Sequence, residues 1–120
     1  MRTVEDRLTE LERLTDKLRF QLELALDDGA IPRNTHASLV IAFNWSQDDL
    51  TTAVDVFDRN EDVKNGHQNL ERELRRDLGL SYQSVKMVVA TLYANGQFEP
   101  LCRDYMRANR CVEFDTIGAY

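Results

Sequence analysis

The chain has little of what chemistry usually needs. Of its 120 residues only two are cysteine, Cys102 and Cys111, and only two are histidine, His36 and His67. Two late cysteines nine apart give neither a disulfide framework nor a zinc spacing, and they read as reduced thiols. No histidine stands in a recognisable arrangement with either thiol, so nucleophilic chemistry is poorly supplied, and buried thiols with surface histidines are expected. Glycine is sparse at five residues, and no glycine-rich phosphate loop occurs. No stretch approaches the ~18 to 20 apolar residues of a membrane span. The segment Met1-Arg2-Thr3-Val4-Glu5-Asp6 is too charged to open the apolar region of a signal peptide. A cytoplasmic protein without membrane contact is therefore expected.

What is present suits one ordinary core. At this length folding buries roughly two-thirds of the unfolded surface. Hydrophobic residues make up 42% and charged residues 30%, which argues against global disorder. The net charge of −6 is concentrated. Residues 1–26 carry −1, residues 27–66 carry −5 and residues 67–120 are neutral. The acidic middle third disfavours phosphate at that face and suits a protein partner instead.

The spacing predicts an all-α chain. Thr3 caps a first helix in which Val4, Leu8, Leu11, Thr15, Leu18, Leu22 and Ala25 recur at heptad spacing. Leu8 and Leu22 take a, Leu11, Leu18 and Ala25 take d, and Thr15 is a weak a position. Leu14, Phe20, Leu24 and Leu26 widen the apolar surface beyond one seam. A helix of about 25 residues spans nearly 40 Å, longer than a domain of this mass is wide. Leu8, Leu11, Leu18 and Leu22 are therefore assigned to an oligomer interface.

About four to five short helices should follow. Ile31-Pro32 marks a turn, and a second helix runs from Asn34 or Thr35 to about Phe43. Ser46 caps a third, with Trp45 able to staple against Leu50. Its apolar face is Leu50, Ala53, Val54 and Phe57, and its acidic face carries Asp48, Asp49, Asp55 and Asp58. Asn60 to Asn69 is polar and reads as the longest loop. Leu70, Leu74 and Leu78 define helix four, ended by Gly79. Ser81 caps helix five, which carries Val85, Val88, Val89, Leu92 and Tyr93 and stops at Gly96, and helix six runs from about Phe98 to Ala108. The chain thus divides into an oligomerisation helix (1–28), a helical body (30–108) and a tail (109–120) without clear period, which either docks on a neighbour or frays.

Three motifs bear on function. From Glu73 to Val88 two helices meet across a glycine turn, with apolar Leu74, Leu78, Leu80, Val85 and Val88. This resembles a DNA-binding helix-turn-helix, in which Tyr82, Gln83, Ser84, Lys86 and Met87 would face the major groove. Arg75 stands where that motif usually has a small residue, and Lys86 is the only charged residue of helix five. Asp58-Arg59-Asn60-Glu61-Asp62 matches the start of a calcium loop. That loop, however, needs glycine where Val63 stands and glutamate where Asn69 stands. Asp55, Asp58 and Glu61 recur at i, i+3 and i+6, as in magnesium-holding rows of helical phosphohydrolases, but no phosphate-binding lysine or arginine pair accompanies them.

The order of features resembles the YhaI-like family of small bacterial proteins over Asp6 to Leu18, Leu39 to Phe57 and Val85 to Leu101. The closest stretch is Ala90-Thr91-Leu92-Tyr93-Ala94-Asn95-Gly96-Gln97-Phe98-Glu99-Pro100-Leu101. The resemblance implies an intertwined, all-helical homo-oligomer and carries over no activity and no functional residue. The sequence thus leads to a non-enzymatic interaction or regulatory module with no catalytic residue, metal or cofactor. A helix-turn-helix regulator comes second and a metal-dependent phosphohydrolase a distant third.

Overall fold

Three of the helices begin on the same device. Thr3 Oγ1 accepts from the Asp6 amide at 3.1 Å while Asp6 Oδ2 accepts from the Thr3 amide at 3.3 Å. Thr35 pairs reciprocally with Ser38, and Ser46 with Asp49. Each pair satisfies amides that the first turn leaves without a helical partner. These caps are local, so they set helix starts before any packing occurs.

The computed structural model describes residues 3–29 and 35–117, and the chain forms two units, Met1–Arg33 and Asn34–Tyr120. In the first unit the helix α1 spans Val4–Asp27. Glu5 and Asp6 in its first turn complement the positive end of its dipole. It closes at Gly29, whose φ of +81° suits a residue without Cβ. The Ile31-Pro32 turn lies outside the described residues.

The second unit contains α2 (His36–Phe43), α3 (Gln47–Asn60), α4 (Gly66–Leu78), α5 (Tyr82–Ala94), α6 (Glu99–Ala108) and α7 (Val112–Thr116). Among the described residues there is no strand, and no helix is long and apolar enough to cross a membrane. Helix α3 packs on α4. Helix α4 in turn meets α5 and α6, and α5 also packs on α6 and α2. Phe57, Leu74, Val85, Val88, Tyr105 and Phe114 are fully enclosed at the centre.

Two expectations need correction. The long loop over Asn60 to Asn69 is short, because α3 runs through Asn60 and α4 already begins at Gly66. A Cβ on Gly66 would overlap the Asn60 carbonyl oxygen, so glycine permits the tight return of α4 beside the end of α3. Of the polar residues that suggested a loop, His67, Gln68 and Asn69 lie in the first turn of α4, and only residues 61–65 connect the two helices. The second concerns the expected count of four to five short helices, which is exceeded in the described part of the tail. The tail holds a further helix, α7, because Phe114 is buried with its ring edge-on to Tyr105 at 6.3 Å between centroids.

The end of α3 is tied to α4 by a polar network. Asn60 is buried, and its Nδ2 donates to Val56 O at 2.8 Å and to Glu73 Oε2 at 2.6 Å. Arg59 donates through Nε to Glu73 at 3.0 Å and through Nη2 to Asp77 at 3.1 Å. Burial alone would push the Glu73 carboxyl up. The hydrogen bonds from Asn60 and Arg59, with the charges of Arg59 and Arg76, outweigh it and hold the group below its ordinary value.

Candidate functional site

Helix α1 exposes eight large apolar side chains: Val4, Leu8, Leu11, Leu14, Leu18, Phe20, Leu22 and Leu24. Leu11 and Leu18 stand at 58% and 59% exposure. Thr15, the weak point of the seam, donates its hydroxyl to Leu11 O at 2.9 Å, so its polarity is satisfied within the helix. At about 100° per residue, Phe20 and Leu24 lie away from the Leu8-Leu11-Leu18-Leu22 row. The C-terminal half of α1 is therefore apolar on more than one face, a pattern characteristic of a helix with neighbours on several sides. Each half-exposed side chain forgoes roughly 1 kcal/mol of burial, and eight forgo on the order of 10 kcal/mol. That matches the whole stability of an ordinary domain.

The second candidate is the α4–α5 corner. Gly79 turns the chain at φ +64°. Ser81 then caps α5, its hydroxyl accepting from the Ser84 amide at 3.1 Å. Leu74, Leu80, Val85 and Val88 are buried inside the corner, and Leu78 is half-buried. On the outside Tyr82 is 56% and Met87 44% exposed. Gln83 is exposed and Lys86 half-buried. Arg75, at the position where a small residue was expected, does not wedge between the helices. It is exposed, and its guanidinium lies 3.9 Å from the Tyr82 ring centroid.

Ser84 behaves differently from its neighbours. It is half-buried and lines an open groove of about 520 Å³ with Phe43, Trp45, Asp77 and Leu80, on the side of α5 opposite Tyr82 and Lys86.

The remaining candidates do not converge. Asp55, Asp58 and Glu61 are each exposed, and among the described residues no three histidine, cysteine or carboxylate side chains come together as metal ligands. Asp48 is exposed as well, so the acidic edge of α3 faces solvent. Cys102 is enclosed, and its thiol is pushed up to about 12, by burial first and by the Glu99 charge second. Cys111 is half-buried rather than buried. His36 is not a free surface histidine; its Nε2 lies 2.6 Å from Gln97 Oε1 across 61 positions of sequence. The hydroxyl of buried Tyr105 donates to Glu71 Oε1 at 3.2 Å. Burial raises its pKa, reinforced by the Glu71 charge. No sequence signal marks the His36–Gln97 or Tyr105–Glu71 pairs, since each joins helices far apart in the chain.

Comparison with protein-family models, with curated proteins and with solved structures gave no match.

Proposed function

We propose that this chain is a non-enzymatic interaction or regulatory module that acts as a homo-oligomer, with α1 supplying much of the interface. The observation that carries the reading is the row of exposed leucines on α1. A second copy is the occupant that fits the row best. The heptad spacing repeats the same knobs on both partners. Arg7 and Glu12 flank the seam at g and e, where opposite charges meet across two parallel copies. Burial of the exposed side chains, on the order of 10 kcal/mol, is comparable to the cost of associating two chains, about 4–15 kcal/mol. The second apolar face at Phe20 and Leu24 favours an intertwined assembly over a simple two-stranded seam. The layout resembling the YhaI-like family points the same way.

Native mass spectrometry of gently purified protein, repeated with Leu11→Lys and Leu18→Lys together, tests this reading. The expected result is an oligomer that falls to the monomer mass in the double variant. An oligomer unaltered by the substitutions would overturn the assignment to α1, and a monomeric parent chain would overturn self-association. A stoichiometric second protein displaced by the same substitutions would make α1 an adaptor surface.

A further inference from the structure

We propose that the α4–α5 corner is a helix-turn-helix that reads duplex DNA. Tyr82, Gln83, Lys86 and Met87 face the major groove, and Arg72 and Arg75 lie toward the flanking phosphates. This goes beyond self-association and rests on a different part of the chain.

The inner face has the apolar pattern of the motif. Its apolar positions point inward, with Leu74, Val85 and Val88 at zero exposure. The turn has a left-handed glycine, and a capped helix follows it directly. The expected obstacle, Arg75, is exposed and packs on the outward Tyr82 ring.

The outer geometry is that of a reading surface. At about 100° per residue, Tyr82, Lys86, Gln83 and Met87 fall in one arc of roughly 140°. Their chemistry suits base edges and phosphate. A glutamine side chain pairs with adenine through two hydrogen bonds, an apolar methionine meets the thymine methyl group, and lysine takes guanine or phosphate. Ser84 lies outside the arc and is not part of this surface.

Charge is sorted by face, which the net charge conceals. Helix α5 contains no carboxylate from Tyr82 to Ala94. The acids of α4 engage other partners. Glu73 and Asp77 accept from Arg59 on α3, and Glu71 accepts from Tyr105 on α6. Arg76 pairs with Asp77 at 2.7 Å. Arg72 and Arg75 instead take neutral partners, the Asn69 side-chain Oδ1 at 2.9 Å and the Tyr82 ring. Arg72 and Arg75 stand one turn apart on α4, Arg75 lies over Tyr82, and Lys86 follows Tyr82 by one turn on α5. An acidic chain therefore presents a local positive edge where a phosphate backbone would run.

The test uses the full chain and a pool of randomised DNA duplexes. Selection followed by sequencing should enrich a short motif. Fluorescence anisotropy on the enriched duplex should give binding that weakens as salt rises. Arg75→Glu with Lys86→Glu should weaken binding at least tenfold and lower the salt slope by about two. Gln83→Ala should relax the preference at one base position. Arg13→Glu with Lys17→Glu, on α1, makes the same change in net charge and should leave affinity unaltered. Circular dichroism confirms that these substitutions keep the fold. The proposal is overturned if no motif is enriched, if the charge-reversed corner binds as the parent does, or if the α1 double variant is equally harmed. Equal binding to single-stranded DNA or to RNA would also overturn it.

Discussion

The Arg75 guanidinium lies 3.9 Å from the centre of the Tyr82 ring, joining the last turn of α4 to the first residue of α5 across Gly79. Both residues are exposed, so the contact belongs to the weaker class of cation–π pairs, about 0.5–1 kcal/mol. Arg75→Ala should therefore lower stability by no more than about 1 kcal/mol in urea unfolding. A loss of several kcal/mol would mean that Arg75 holds the corner together.

Thr15 interrupts the apolar row of α1, and its hydroxyl is satisfied by Leu11 O. If it sits in an interface layer, Thr15→Ile adds apolar area there without leaving an unpaired group. The expected result is association tightened about tenfold, near 1.4 kcal/mol, in sedimentation equilibrium. Unaltered association would place Thr15 outside the interface.

Glu73 is held ionised by Asn60 and Arg59, with its pKa below the ordinary range. A carboxyl lowered on folding contributes stability that is complete above its unfolded pKa, about 4.3. That contribution is lost as pH falls through the folded value. Denaturation between about pH 5 and 3 should thus be shallower in Glu73→Gln than in the parent. Glu73→Ala should cost about 1–3 kcal/mol at neutral pH, because it removes the charged acceptor from buried Asn60. An identical acid slope in Glu73→Gln would show that other carboxylates govern the transition.

Cys102 is enclosed with its thiol pushed up to about 12, whereas Cys111 is half-buried at the start of α7. Only the thiolate attacks a disulfide reagent. Native protein should show one fast thiol, removed by Cys111→Ser, and Cys102 should react only after denaturation. A fast thiol persisting in Cys111→Ser would mean that the α6 core opens readily.

The sequence alone determined what depends on neighbouring residues. Thr3 and Ser46 start helices because their hydroxyls reach amides three residues on, and Gly29, Gly79 and Gly96 supply the positive φ that ends or follows them. The apolar arcs of α3 and α5 were legible from helical period, although Val56 and Asn60 in the α3 core were not. The apolar seam of α1 and the glycine corner at Gly79 were also readable. Tertiary structure decided the rest. Gly66 opens a helix because it meets the Asn60 carbonyl, and Phe114 gives the tail a helix because it finds Tyr105. Arg75 turns outward onto Tyr82, and Glu73, Asp77 and Glu71 are drawn toward α3 and α6. Caps and periodicity act through the backbone within a few residues. Which face a charge finally presents depends on the helices packed beside it, and those partners lie far away in sequence.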